Sequence, residues 1–300
     1  MREKITALIR SKKVRTTAGI AILVLSLAAF SFYAVTHPEL FQHLTSVRLP
    51  EAAGILALYF VFLFATASIL HVNVQMCKAV IGRKEGFLLT IYSTIVNFFG
   101  PLQSGPGFRA IYLKKKLGIK LRDYGLATVY YYLFFAIFSA IFLLLGVLEP
   151  MAIVFAVAGL VGLAFLFIIW RKRTGKKAPS GSPKLFLQLA VVTLLQVTVV
   201  AIIYFIELRS IDSSISLQQA FTYTGAANFA LFAALTPGSI GIRESFLLFS
   251  QQLHGIDSQT VIAASVIDRA FYFIFLGLLF LIATSLHAKD KLQLRSKNNE

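Results

Sequence analysis

The sequence predicts an all-α polytopic membrane protein with six transmembrane helices plus two re-entrant helix pairs in an inverted-topology repeat. Three observations carry that expectation: the composition, a set of apolar runs long enough to cross a bilayer, and two apolar stretches broken by Gly and Pro. Of 300 residues, 57% are hydrophobic and 14% charged, against about 45–50% and about 25% in soluble domains. Mean hydropathy is +0.77. Phe occurs 28 times and Trp once. The single cysteine, Cys77, cannot form an internal disulfide.

A helix needs about 20 apolar residues to cross the hydrocarbon core. Ala18–Val35, Ala52–Met76, Tyr124–Val147, Met151–Trp170, Leu185–Ile206 and Ser258–Leu286 meet that need. The first run follows Arg10, Lys12, Lys13 and Arg15, as a signal peptide would. It is long for one, and Ser31–His37 lacks a small-x-small cleavage site, so it is expected to be a span.

The net charge of +16 resembles that of a nucleic-acid binder until the charges are located. They punctuate the apolar runs and form no basic face, so nucleic acid is not an expected partner. Arg2, Lys4, Arg10, Lys12, Lys13 and Arg15 precede the first span, and Lys78, Arg83 and Lys84 follow the second. Lys114, Lys115, Lys116, Lys120 and Arg122 come next, then Arg171, Lys172, Arg173, Lys176, Lys177 and Lys184, then Lys289, Lys291, Arg295 and Lys297. These are 24 of the 29 basic residues, all on alternate connections, whereas the opposite connections carry Arg48 and Arg209. By the positive-inside rule both termini are expected in the cytoplasm, with the chain in the plasma (inner) membrane. The basic loop 171–184 is expected to set topology and to attract anionic headgroups.

That alternation requires each broken stretch to leave from and return to one side. Stretch 86–117 is flanked by basic clusters and is expected to dip in from the cytoplasm; stretch 217–253 is expected to dip in from outside. Non-helical backbone at membrane depth survives where protein or a water-filled cavity covers it. The chain then divides into a first repeat, 1–148, and a second, 149–300, each with three spans and one re-entrant pair. Three crossings are odd, so the second copy is inverted. Asn97 to Arg109 (Asn-Phe-Phe-Gly-Pro-Leu-Gln-Ser-Gly-Pro-Gly-Phe-Arg) has a loose counterpart in Asn228 and Leu235 to Arg243 (Leu-Thr-Pro-Gly-Ser-Ile-Gly-Ile-Arg). Inverted repeats with broken helices meeting at the midplane are the logic of transporters.

Pro101 to Arg109 with the basic stretch behind it, and the Thr-Pro-Gly-Ser-Ile-Gly-Ile-Arg-Glu run at 236–244, resemble the two signature regions of the lysylphosphatidylglycerol synthase transmembrane family. That family includes the lipid-flipping domain of the multiple peptide resistance factor. The resemblance covers most of the chain and implies a lipid-translocator fold with two re-entrant elements. This chain would be a stand-alone member, since no aminoacyl-transferase domain follows its last span. It departs from many relatives in having Pro106 where they carry an acidic residue. Where they show Glu-Arg-x-x-Asp it reads Tyr130-Tyr131-Tyr132-Leu133-Phe134-Phe135, without charge.

Ionisable groups in a bilayer cost at least about 2.5–3.5 kcal/mol each, so they need partners or a watery cavity. Asp268 and Arg269 fall roughly 15 Å along the last span at 1.5 Å per residue, near the midplane. Arg243 and Glu244 follow the second break. Two readings stand: structural pairs Arg243–Asp268 and Glu244–Arg269, or groups that pass a headgroup. Arg109 opens the helix after the first break with a planar donor fork suited to phosphate, or is a snorkelling interfacial arginine. Gly105 and Gly107 would let backbone N–H groups approach an anion. Asn97 and Asn228 are expected to cap freed backbone groups or to bind a headgroup. Pro101, Gly105, Gly107, Pro237, Gly238 and Gly241 are read chiefly as the helix breaks themselves.

The sequence has no Gly-x-x-x-x-Gly-Lys-Ser/Thr loop, His-Glu-x-x-His or Gly-x-Ser-x-Gly elbow, and its five histidines are dispersed. No enzyme activity, catalytic residue, cofactor or metal is expected. The leading reading is a flippase-like translocator of an anionic membrane lipid or a polyprenyl-phosphate-type lipid, using opposed re-entrant helices. The alternative is a non-transporting membrane partner of a lipid-dependent glycosyltransferase or lipid synthase, at a large basic cytoplasmic surface.

Overall fold

The computed structural model describes residues 47–99, 104–145, 162, 182–232 and 242–297. Outside these residues lie the expected span Ala18–Val35, all of Met151–Trp170 except residue 162, and the breaks at Pro101, Pro237, Gly238 and Gly241. Within them the chain is helical: α1 (Leu49–Met76), α2 (Arg83–Phe99), α3 (Ser104–Leu117), α4 (Leu121–Leu144), α5 (Pro183–Ile211), α6 (Leu217–Phe232), α7 (Ile242–Phe249), α8 (Gln251–His254) and α9 (Ser258–Lys297).

Among the described residues, four helices are long and apolar enough to cross a membrane: α1, α4, α5 and the part of α9 from Ser258 to Leu286. Their ends differ from the apolar runs because capping residues add polar turns. At α1 the Glu51 carboxylate accepts from the Arg48 N–H (3.1 Å) and Pro50 sits in the first turn, so the helix starts three residues early. At α5 the Ser182 hydroxyl accepts from the Leu185 N–H (3.4 Å), with Pro183 next to it. α5 also continues past Ile206, its expected end. Glu207, the first residue beyond that expected end, is helical and fully buried.

The direction of the helices follows from their contacts. Ile69, Val72 and Met76 of α1 pack with Ala127 and Tyr130 of α4 and Leu189 of α5. Farther along, Phe135 and Phe142 of α4 pack with Val197 and Ala201 of α5. α4 and α5 are therefore parallel, and α1 opposes both. The α2–α3 pair is antiparallel: Glu85 meets Tyr112 (2.7 Å), Ser93 meets Arg109 (2.6 Å) and Asn97 meets Gly105 (3.1 Å). The outer ends of this pair join one end of the bundle, where Leu70 and Val74 of α1 cluster with Leu89, Leu113, Ile119 and Tyr124. The opposite end gathers the end of α4, the start of α6 and the α8–α9 turn. There the Gln218 Nε2 donates to the Leu145 carbonyl (2.9 Å) and the Gln219 Nε2 to the Gly255 carbonyl (3.4 Å).

α6 seats against α4 through Gly225. A Cβ there would lie 2.4 Å from the backbone N and 2.7 Å from the Cα of Leu143, atoms that cannot swing aside. Gly225→Ala is expected to push the two helices apart and destabilise the fold by about 1–3 kcal/mol, read as a lower unfolding temperature in detergent. At the start of α9 the Asp257 carboxylate accepts from the Thr260 hydroxyl and from the Thr260 (3.0 Å) and Gln259 (2.9 Å) N–H groups. The Thr260 hydroxyl foremost, then its N–H, hold this carboxyl below the usual range. The folded value lies below the unfolded one, so this stabilisation is complete at neutral pH and fades as acid protonates the group. Asp257→Ala is expected to cost about 1 kcal/mol, with a loss in unfolding temperature at pH 7 that shrinks on acidification.

Candidate functional site

Residues of α2, α3, α6 and α7 line a cavity of about 260 Å³ that is also walled by α1, α4, α5 and α9. It takes its polar character from three sources. The first pair brings Asn97 and Arg109, the second brings Asn228 and Arg243, and α9 brings Asp268 and Arg269.

Arg243 and Asp268 form a buried ion pair, with Arg243 Nη1 2.5 Å from Asp268 Oδ2. The other carboxylate oxygen accepts from the Tyr59 hydroxyl of α1 at 2.7 Å. The Arg243 guanidinium also lies over the Tyr204 ring, 4.9 Å from its centroid, where a cation gains from the ring face. Arg269 reaches Glu244 through both Nε (3.0 Å) and Nη2. Both pairings expected from sequence are therefore present. Four charges are neutralised two by two, and α7 is fixed to α9.

Arg109 is placed differently. Its Nε donates to the Ser93 hydroxyl at 2.6 Å, and no carboxylate among the described residues pairs with it. It lines the cavity beside Tyr131, Tyr132 and Tyr272. The segments joining α2 to α3 and α6 to α7 have no ionisable side chain in their sequence. Among the described residues, Arg109 is the cavity cation whose hydrogen-bond partner is neutral.

The asparagines and glycines divide between roles. Asn97 caps: its Oδ1 accepts from the Gly105 N–H at 3.1 Å. The expectation that Gly105 offers this N–H to an anion is corrected here, because Asn97 takes it. The missing Cβ serves helix contact instead, since it would sit 2.7 Å from the Ser93 carbonyl oxygen. Gly107 is exposed, with open space at its Cβ position. Asn228 donates to the Ser139 hydroxyl of α4 at 3.1 Å, so it ties α6 to α4.

Sequence reasoning missed a neutral polar wall and a buried acid. The Tyr131 hydroxyl donates to Gln196 Oε1 (3.1 Å), and Gln196 Nε2 donates to the Thr66 hydroxyl (2.9 Å), linking α4, α5 and α1 along the cavity. The signal was Gln196 itself, a lone amide in an apolar span. Glu207 lies behind Arg243 and Asp268; it was hidden by its position at the apparent end of a span. Among the described residues no three His, Cys, Asp or Glu side chains gather to hold a metal.

A bundle of apolar helices around a charged, hydrogen-bonded internal cavity defines a multi-pass membrane protein built around a polar interior. The model of the lysylphosphatidylglycerol synthase transmembrane region matches residues 16–279, and the chain belongs to that family of lipid-associated membrane domains. No curated protein matches it.

The ion pair sets a test. Asp268→Asn or Arg243→Ala alone leaves a buried charge unmatched and is expected to cost roughly 3–5 kcal/mol, whereas Arg243→Met with Asp268→Leu removes both charges and their desolvation. Size-exclusion profiles in detergent should show the double variant restored to a monodisperse peak that the single variants lose.

Proposed function

We propose that this protein is an integral membrane translocator that moves an anionic phospholipid or lipid-linked headgroup between leaflets. One observation supports this above the others: among the described residues Arg109, in the shared cavity, meets a hydroxyl and no carboxylate, while Arg243 and Arg269 are already matched. An arginine at membrane depth with no counter-ion among the described residues calls for an anionic guest. Guanidinium geometry suits a phosphate diester. The phenols of Tyr131 and Tyr132 add neutral groups that tolerate different headgroups.

The proposed path uses α2–α3 and α6–α8 as re-entrant pairs from opposite sides, in two inverted repeats, 1–148 and 149–300. Support comes from the shared bundle end of each pair and from the opposed directions of α1 and α4 and of α5 and α9. Asn97, Asn228, Arg243, Glu244, Asp268 and Arg269 shape the passage, and Arg109 contacts the headgroup. Both termini are assigned to the cytoplasm of the cell's plasma (inner) membrane. With Cys77 replaced, a cysteine at Ser214 should react with an impermeant reagent from outside, and one at Lys120 should stay protected. The reverse pattern would overturn the orientation.

In liposomes, purified protein should make labelled phosphatidylglycerol accessible from the opposite leaflet faster than protein-free vesicles do. Losing a charge-assisted hydrogen bond worth about 1.5–3 kcal/mol should make Arg109→Ala roughly 10- to 100-fold slower. Wild-type rates equal to those of empty vesicles would contradict the reading.

A further inference from the structure

Glu207 is fully buried, and neither of its carboxyl oxygens has a hydrogen-bond partner. The groups around it are Tyr59 from α1, Tyr223 from α6, Arg243 from α7, Asp268 from α9 and Tyr204 from its own helix, α5. The ionisable residues of α4, from Arg122 to Tyr132, all lie in its first half, toward the other end of the bundle. Arg243 is the one cation in this set. Its Nη1 belongs to Asp268, whose second oxygen is filled by Tyr59. Its Nε and Nη2 are buried without partners. An ionised carboxylate in this position would be a second anion against a single matched cation in a medium of low dielectric. A neutral carboxyl removes that conflict.

We infer that Glu207 is a proton-binding site that couples proton movement to headgroup movement through the cavity. The inference rests on the proposed role of Arg109. Arg243 with Asp268 sums to zero, as does Arg269 with Glu244, and Arg109 contributes one positive charge. With Glu207 protonated, the site carries a net +1 and accepts a monoanionic headgroup, giving a neutral loaded form. When the proton leaves Glu207 for the aqueous phase, the carboxylate is taken by the two unpartnered donors of Arg243. The site then sums to zero without a guest, and the headgroup is released. Loaded and empty forms are both neutral, so either can reorganise across the bilayer without moving net charge. Proton and anion strengthen each other's binding, and they travel together, one for one.

Two measurements separate this from the translocator reading. Infrared spectra of purified protein loaded with phosphatidylglycerol should show a protonated-carboxyl band at neutral pH that is missing in Glu207→Gln and that weakens when the lipid is stripped away. The amide is close in shape to the protonated acid, so the variant should remain monodisperse; aggregation of Glu207→Gln would show that the ionised form is the structural one and overturn the inference. In liposomes holding a one-unit pH gradient, labelled phosphatidylglycerol should accumulate about tenfold in the leaflet on the alkaline side, with proton movement of matching amount. Glu207→Gln should show no such bias. Accelerated lipid movement without any bias in wild type, or the same bias in Glu207→Gln, would overturn proton coupling and leave translocation standing. If wild type moves no lipid, the translocator reading and the coupling fall together, and the infrared band then reports only whether Glu207 holds a proton.

Discussion

Arg243 on α7 and Asp268 on α9 hold the interior together, because neither charge is tolerable without the other in a low-dielectric site. Their contact fixes where the second helix pair can sit, and Tyr59, donating to the free oxygen of Asp268, brings α1 into the same arrangement. Glu244 and Arg269 repeat the solution one residue farther along each helix, so α7 and α9 are joined at two successive positions. Aromatic rings complete the junction: Tyr59 stacks on Phe275 and meets Tyr272 edge-on, both at 5.3 Å between centroids. Little of this region can shift without separating opposite charges.

The first helix pair reaches the cavity under a different constraint. α2 and α3 are joined by hydroxyl and amide contacts and by the close approach that Gly105 permits. This leaves Arg109 with a neutral partner in the space where the second pair has committed its charges to structure. The hydrogen-bonded Thr66–Gln196–Tyr131 wall beside it is likewise neutral. The two pairs are thus unlike in electrostatics: one supplies a rigid, neutralised floor, the other a cation.

Much of this was legible in the sequence. Charges buried in apolar runs had to be matched, and equal spacing made Arg243–Asp268 and Glu244–Arg269 the natural pairs. The positions of the four described spans followed from hydropathy; their ends did not, since Glu51, Ser182 and Pro183 add capped turns that no apolar run records. Glu207 was misplaced for the same reason. A carboxylate after an apolar run reads as a loop, and only the packing of α5 against α6 and α9 buries it. Gly105 illustrates a further limit: a glycine beside an arginine suits either anion approach or helix contact, and only the distance to Ser93 decides. Residues far apart in the chain, such as Gln196 and Thr66, are joined by tertiary packing that no local pattern announces.

The proposed role of Arg109 is to hold an anionic headgroup in the shared cavity. Quantifying the phospholipid that remains with the purified, detergent-washed protein tests it most directly. Anionic phosphate lipid should be retained by wild type, be sharply reduced in Arg109→Ala, and be retained by a folded Arg243→Met/Asp268→Leu protein. Equal retention of that lipid by wild type and Arg109→Ala would contradict it.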